Sequence, residues 1–452
     1  MGKYVIIGNG VTGTRAAEVL RGQQPDAEIT LMTEEDYPFY RRPQLPDFVA
    51  GKVAGAALWG KRSEFYDRER LELRLSCRVE SVDAEAGKVR LASGEEVGYD
   101  SLLIATGRQV DGGGLPGEKL DGVVCLKTLD QATALRETGG EGRRAVVYGD
   151  GLVALEMVRA LTGAGFATTY AVPGPRIWPD VLDEDAADIA AARLRAAGAV
   201  VVTGSPAERV AGTDGRARAL VLANGTELEG DVFGVCARYR PALAFLPGDG
   251  GAFAVGEDLT TPWEGIWAAG DVTSDPSRGY FNWLRSWREG AAAGRAMAGG
   301  AVEPADKLDL LNMQIHGLSL VAIGQTTVAY RSGFSEMRGE YPYGEFYKKL
   351  VFGPDDVLVG AVLLGGIAEA GALEEAIRGR TKKADLDAGL LHQMFDRTYR
   401  TEYLGVQCPV CRHEIQLTPG AAAGDLVTCP ICGVDFRLES GQGNAFVAKI
   451  AR

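Results

Sequence analysis

The chain has 452 residues, room for about three domains at roughly 150 residues each, and its 46% apolar and 24% charged residues exclude disordered, collagen-like and coiled-coil classes. Its 48 basic and 61 acidic side chains leave a net charge of −13, which opposes attraction to nucleic-acid backbones and anionic membrane surfaces. Glycine is the outlier, with 61 residues, about 13% against a usual ~7%, as expected where tight turns and backbone approaching ligands are frequent.

The N-terminus runs Met-Gly-Lys straight into an apolar strand, Lys3 to Ile7. No leader is visible there, and no stretch reaches the ~18 apolar residues of a membrane span, which predicts a cytoplasmic protein. Gly8, Gly10 and Gly13 follow the strand, then a helix face of Ala16, Ala17, Val19 and Leu20 that stops at Gly22, then a second strand, Glu28 to Met32. Glycines so spaced between a strand and a helix allow a tight turn, close approach of a diphosphate to the backbone, and close helix packing. The helix N-terminus adds exposed N–H groups and partial positive charge. Glu34, at the end of the second strand, is placed to accept hydrogen bonds from ribose hydroxyls. Lys88 to Leu91 and Glu96 to Tyr99, separated by Ser93-Gly94, predict a hairpin.

A second unit of the same type begins at Ala145 to Tyr148, with Gly149 and Gly151, a helix from about Leu152 to Thr162, and a strand at Ala167 to Val172. Two such units imply two nucleotide-sized sites. Another hairpin is expected around Asn224-Gly225. After Gly299-Gly300 the pattern changes: strands at Leu318 to Ile323, Phe346 to Phe352 and Val357 to Leu364, with a helix near Ala368 to Arg378, predict a separate α+β domain over about 315–400.

From Tyr403 onward, Cys408-Pro-Val-Cys411 and Cys429-Pro-Ile-Cys432 sit among short β-like segments. Two Cys-x-x-Cys pairs at this separation predict a closed four-thiolate zinc site. Iron held by the same four sulfurs is the alternative, although the intervening segment lacks a rubredoxin's aromatic pattern. The module is similar to small zinc ribbons. With four basic against five acidic residues over 401–452, it offers no phosphate-binding face. Cys77, Cys125 and Cys236 are isolated and read as small apolar fillers. His316, His392 and His413 are dispersed and read as packed or surface imidazoles, with His413 near enough to the cysteine pairs for a supporting hydrogen bond.

Four segments together resemble the two-dinucleotide-binding flavoproteins, close to rubredoxin reductases and the flavin region of NADH-dependent nitrite reductases. They are Tyr4 to Gly13, Tyr40-Arg41-Arg42-Pro43, Leu103-Ile104-Ala105-Thr106-Gly107, and Ile266 to Val272 with Gly270-Asp271. Trp283, Gly290 and Met297-Ala298-Gly299 resemble the helix that follows. The resemblance covers about 1–380. It implies FAD in the first site, contacted by Gly8, Gly10, Gly13, Glu34, Ala105, Thr106, Gly107, Gly270 and Asp271, with Arg42 and Pro43 lining the isoalloxazine and Asp271 on the ribityl chain. The redox cysteine some relatives place near Arg42 is missing, and Gln44-Leu45-Pro46-Asp47 stands where many have a lysine.

Gly149, Gly151 and Glu156 resemble the nicotinamide-nucleotide motif, with Glu156 near the reacting rings. Three positions depart from it: Ala154 for the third glycine, Val172 for the acid that binds NADH ribose, and Arg238 for a glycine. Either NAD(H) or NADP(H) is compatible with these changes, as is a weakened site. The expected architecture is α/β: two interleaved Rossmann-like domains, with FAD bound by 1–114 and 241–314 and NAD(P) by 115–240, then an α+β interface domain (315–400) and a zinc ribbon (401–452). The expected activity is hydride transfer between NAD(P)H and FAD, with Glu156 and Arg42 as catalytic residues. Electrons would pass to or from an iron–sulfur or rubredoxin-like protein, or a partner subunit, in an oligomer without nucleic acid. The alternative is a docking flavoprotein subunit of a redox complex whose nicotinamide site is degenerate.

Overall fold

A computed structural model describes residues 2–246, 255–273, 283–301, 308–327, 333–340, 346–391, 395–397, 405–408, 414–417, 421–429, 434–440 and 446–450. The chain forms two compact units, one of residues 1–110, 127–137 and 238–307, the other of 111–126, 138–237 and 308–452.

The first unit is built on a parallel five-stranded sheet in which Ile266–Ala268, Ser101–Ile104, Lys3–Ile7, Glu28–Met32 and Glu72–Arg74 lie side by side. Both faces are covered, which is why these strands read as apolar runs rather than alternating patterns. Ile6, Leu31 and Leu103 pack on one face with Ala16, Ala17 and Leu20 of the Val11–Gln23 helix and Ala292, Ala293 and Met297 of the Trp283–Met297 helix. On the other face Val5, Ile7, Leu102 and Ile104 meet Val82, Val89 and Leu91. These last three belong to an antiparallel sheet of Val79–Asp83, Lys88–Leu91 and Glu96–Gly98, the expected hairpin with one further strand.

The second unit repeats the theme. Its parallel sheet runs Val200–Thr203, Ala167–Val172, Arg144–Tyr148, Val232–Val235, Val123–Val124. Val146, Ala171, Phe233 and Val235 pack against Val210, Leu220 and Leu222 of the antiparallel sheet that contains the second expected hairpin. A six-stranded antiparallel sheet follows, covered by the Ala370–Arg378 helix through Leu373 and Ile377. Phe346, expected inside a strand, lies just before Tyr347–Phe352 and is exposed.

Charged residues on strands of this sheet, which pattern alone assigns to a solvated face, are buried. Arg338 is bonded to Glu336 (2.9 Å), Asp185 (3.0 Å) and Asp183 (3.3 Å). Asp183 also takes Lys349 (3.0 Å) and the Tyr347 hydroxyl, and it caps the Glu184–Ala196 helix by accepting from the Ala186 N–H. Burial alone would raise the Asp183 pKa, but Lys349, Arg338 and the hydrogen bonds outweigh it and hold the carboxyl below its ordinary value.

In the cysteine module Gly405–Gln407 pairs with Glu414–Gln416, and Leu426–Thr428, Asp435–Ser440 and Phe446–Ile450 form a second small sheet. Cys408 and Cys429 are buried in one cluster with Val406, Ile415, Phe436 and Leu438. Cys411, Cys432, His392 and His413 lie outside the described residues. Among the described residues no group of three or more metal-ligating side chains gathers, and no helix is long and apolar enough to cross a membrane.

Removing one partner from a buried ion cluster costs about 3–5 kcal/mol, so Asp183→Asn should lower the urea-unfolding free energy by that order at pH 7. A carboxyl with a depressed folded pKa stabilises above its unfolded value, near 4, and loses this contribution as pH falls through the folded value. The gap between wild type and variant should therefore hold from pH 8 to about 5 and close only below about 4; a pH-independent gap would exclude the ionic role.

Candidate functional site

In the first glycine turn each glycine has a separate reason. Gly8, at φ +112, brings the Lys3–Ile7 strand so close to the Ala105 carbonyl that a side chain would run into it, and a side chain at Gly13 would strike the Gly8 carbonyl. Gly10 caps the Val11–Gln23 helix with ordinary extended geometry (φ −85), and a Cβ there would meet nothing within 4 Å. The first and third glycines therefore serve the protein's own packing, whereas the second leaves the helix N-terminus open, where a diphosphate is favoured by N–H groups and dipole.

Beside it, Asn9 is buried. Its Oδ1 accepts from Thr14 Oγ1 (3.1 Å) and the Tyr66 hydroxyl (2.9 Å), and its Nδ2 has no hydrogen-bond partner among the described residues. A buried amide donor left so is costly unless a ligand or water meets it.

The distant Gly270-Asp271 segment returns to this turn by traceable bonds. Gly270 N–H donates to Glu289 (2.7 Å), itself paired with Arg285 (3.0 Å), and the Ser286 hydroxyl donates to Asp271 (3.0 Å). The Thr12 hydroxyl donates to the Ser286 carbonyl (3.1 Å), so the Gly270–Val272 turn, the Trp283–Met297 helix and the first glycine turn form one bolted assembly. Arg108 donates to the Asp271 carbonyl, and Thr106 to that of Ala242, both at 2.8 Å. Ala105 is buried and continues the sheet through its N–H to the Ile7 carbonyl (2.8 Å), while Gly107 takes φ +71.

Arg42 opens a single 3₁₀ turn, Arg42–Gln44, with Pro43 exposed at its start. Its guanidinium is held by Glu35, the Tyr40 hydroxyl (2.9 Å) and the Lys127 carbonyl (2.7 Å). Tyr40 in turn donates to Glu35 and accepts from the Leu129 N–H (3.0 Å). Burial opposes the Arg42 charge, but Tyr40 and Glu35 outweigh it and raise its pKa; burial raises the Tyr40 phenol despite Arg42, with Glu35 adding to it. Arg42 thus remains a cation braced by a carboxylate and a neutral phenol. Glu35 was not singled out in the sequence, and Tyr40 entered only as part of the Tyr40-Arg41-Arg42-Pro43 segment that carries the resemblance. Glu34 is exposed just past its strand.

The second turn keeps the same backbone logic. Gly149 (φ +138) abuts the Cys236 carbonyl, and its N–H reaches the Ala171 carbonyl (3.2 Å), as Gly8 N–H reaches that of Met32 (2.7 Å). Gly151 (φ +85) caps the Leu152–Gly163 helix, which carries buried Ala154 and half-buried Glu156. Val172 is 1% exposed and supplies no polar group for a ribose. Arg176 donates to the Leu182 carbonyl (3.3 Å), and Arg238 is exposed. Burial, with Cys125 and Glu156 adding to it, pushes the Cys236 thiol well up, and burial raises Cys77. Neither is an activated thiolate.

Residues 2–294 match the family described as pyridine nucleotide-disulphide oxidoreductase. The NADH-dependent phenylglyoxylate dehydrogenase subunit epsilon of Aromatoleum evansii is 29% identical over 393 residues, 84% of this chain and 92% of its own. The ferredoxin–NAD(+) reductase component of the anthranilate 1,2-dioxygenase system of Burkholderia cepacia is 31% identical over 72% of this chain and 84% of its own. Among solved structures, a NAD-dependent persulfide reductase from A. fulgidus aligns with a TM-score of 0.75 at 25% identity, covering 85% of this chain and 78% of its own.

The two glycine roles separate experimentally. Gly10→Val meets free space in the protein, so it should fold with wild-type circular dichroism yet carry less than about a tenth of the flavin absorbance per chain, a loss of at least ~1.4 kcal/mol in binding. Gly13→Ala should fail to fold. A flavin-replete Gly10→Val protein would remove the first turn from the FAD site.

Proposed function

The chain belongs to the pyridine nucleotide-disulphide oxidoreductase family, and on that footing we propose an FAD-dependent oxidoreductase that transfers a hydride between NAD(P)H and FAD and exchanges electrons with an electron-transfer protein or a partner subunit. The observation that carries this reading is the open first turn, with Gly10 uncovered, Asn9 Nδ2 without a hydrogen-bond partner among the described residues, and Asp271 tied through Ser286 to Thr12 of that turn. When bound, FAD takes up two electrons together and passes them on singly or together. The helix N-terminus at Gly10 supplies the diphosphate contact, Glu34 the ribose contact, and Ala105, Thr106, Gly107 and Gly270 the close backbone around the cofactor. Asp271 holds the ribityl chain. Arg42, fixed by Glu35 and Tyr40, would hold a positive charge at the flavin, where a fixed cation favours added electrons. Pro43 contributes shape. Gly149, Gly151 and Glu156 form the nicotinamide side.

The four cysteines Cys408, Cys411, Cys429 and Cys432 are proposed to hold zinc, with iron as the alternative. Support comes from Cys408 and Cys429 sharing one small core and from the spacing of the two Cys-x-x-Cys pairs. A redox-inert zinc would stabilise or dock this module.

A second reading, a docking subunit with a degenerate nicotinamide site, is favoured by buried Val172 and by the subunit named among the relatives. On either reading the protein works in the cytoplasm, as an oligomer or within an assembly whose partner is an iron–sulfur or rubredoxin-like protein or another subunit.

Anaerobic titration of the purified flavoprotein decides between the two. Bleaching of the flavin band by NADH or NADPH is expected and names the nucleotide, whereas reduction by dithionite but by neither nucleotide would select the docking subunit. Elemental analysis should find one zinc per chain, and a chelator that strips it should leave the flavin spectrum unchanged.

A further inference from the structure

The two glycine turns are built alike but furnished differently. Where a Cβ on Gly10 would meet empty space, one on Gly151 would meet the indole of Trp178, with Nε1 at 3.4 Å, Cδ1 at 3.6 Å and Cε2 at 3.8 Å. The second glycine of such a turn is the one that lets a diphosphate approach the backbone, so the ring stands against that seat. Trp178 is 6% exposed, and its backbone takes φ +46, a left-handed conformation unusual for a bulky residue and kept only where the surroundings enforce it.

The enforcement is visible. The Trp178 carbonyl accepts from the N–H groups of Val181 (3.0 Å) and Leu182 (2.9 Å), and the Asp180 carbonyl accepts from the Thr326 hydroxyl (2.9 Å). Asp183 then enters the buried cluster with Tyr347 and Lys349. With the backbone after Trp178 pinned to the six-stranded sheet, movement of the indole is left to its own side-chain torsions.

We infer that the Trp178 indole closes the diphosphate seat at Gly151, so that a nicotinamide dinucleotide binds only after the ring has turned away. This rests on the second turn being a nicotinamide-dinucleotide site. The closed ring is buried and the open one exposes a large aromatic surface, so the binding-competent form is a minority and apparent affinity falls by its fraction. Trp178 is then a residue that sets nucleotide affinity without contacting the reacting atoms.

The test is calorimetric titration of the oxidised, full-length flavoprotein with NAD+ and with NADP+, for wild type, Trp178→Phe and Trp178→Ala. Flavin content and circular dichroism serve as controls of folding. The expected result is dissociation constants falling in that order, by about tenfold or more between wild type and the alanine variant, with faster association in stopped flow. Should the alanine variant not fold, the phenylalanine variant alone must still bind more tightly and faster than wild type. Equal or weaker binding by the variants, with wild type binding normally, would overturn the gate and leave the nicotinamide site standing. Absence of binding by all three would overturn the site and the gate together.

Discussion

The first unit depends on how closely two helices approach. A side chain at Gly290 would run into the Thr12 carbonyl, and one at Gly294 would meet the Ala16 backbone. Only a glycine face on the Trp283–Met297 helix allows this crossing, and it places Ser286 within reach of both Thr12 and Asp271. Widening the contact by a methyl group would separate the Gly270–Val272 turn from the glycine turn with which it shares a proposed cofactor. The interior is close-packed enough that such a shift has nowhere to dissipate.

The same backbone solution appears twice, and what differs is what surrounds it. In both turns the first glycine packs against the carbonyl of the residue just past a neighbouring strand, and the next caps a helix without side-chain help. The first turn is flanked by an amide without a partner among the described residues and by an acidic segment, the second by a buried valine and an indole. The difference between the two turns therefore lies in side chains that the shared backbone does not dictate.

Much of this was legible in the sequence because backbone geometry dictates residue type. Gly8, Gly13 and Gly149 sit where the closeness of another backbone leaves no space for a side chain, and apolar runs mark strands buried on both faces. Asp271 was legible only through resemblance, since nothing local to residues 266–272 points to a turn far back in the chain. Glu35 was missed, and Tyr40 noted only within its family segment, because their value comes from a guanidinium met in three dimensions. Arg338 and Lys349 were missed because charge in a strand reads as solvent exposure unless the carboxylates opposite are known, and Trp178 because an isolated aromatic in a loop carries no periodicity.

The order of the first sheet also governs how the chain can be made. Its outer strand, Ile266–Ala268, pairs with Leu102–Ile104, and between them the chain passes through much of the second unit. During synthesis the segment 138–237 emerges before the first sheet can acquire its last strand or its glycine-faced helix. An N-terminal half released early would therefore expose the edge of Ser101–Ile104, an apolar strand ready to pair with another chain.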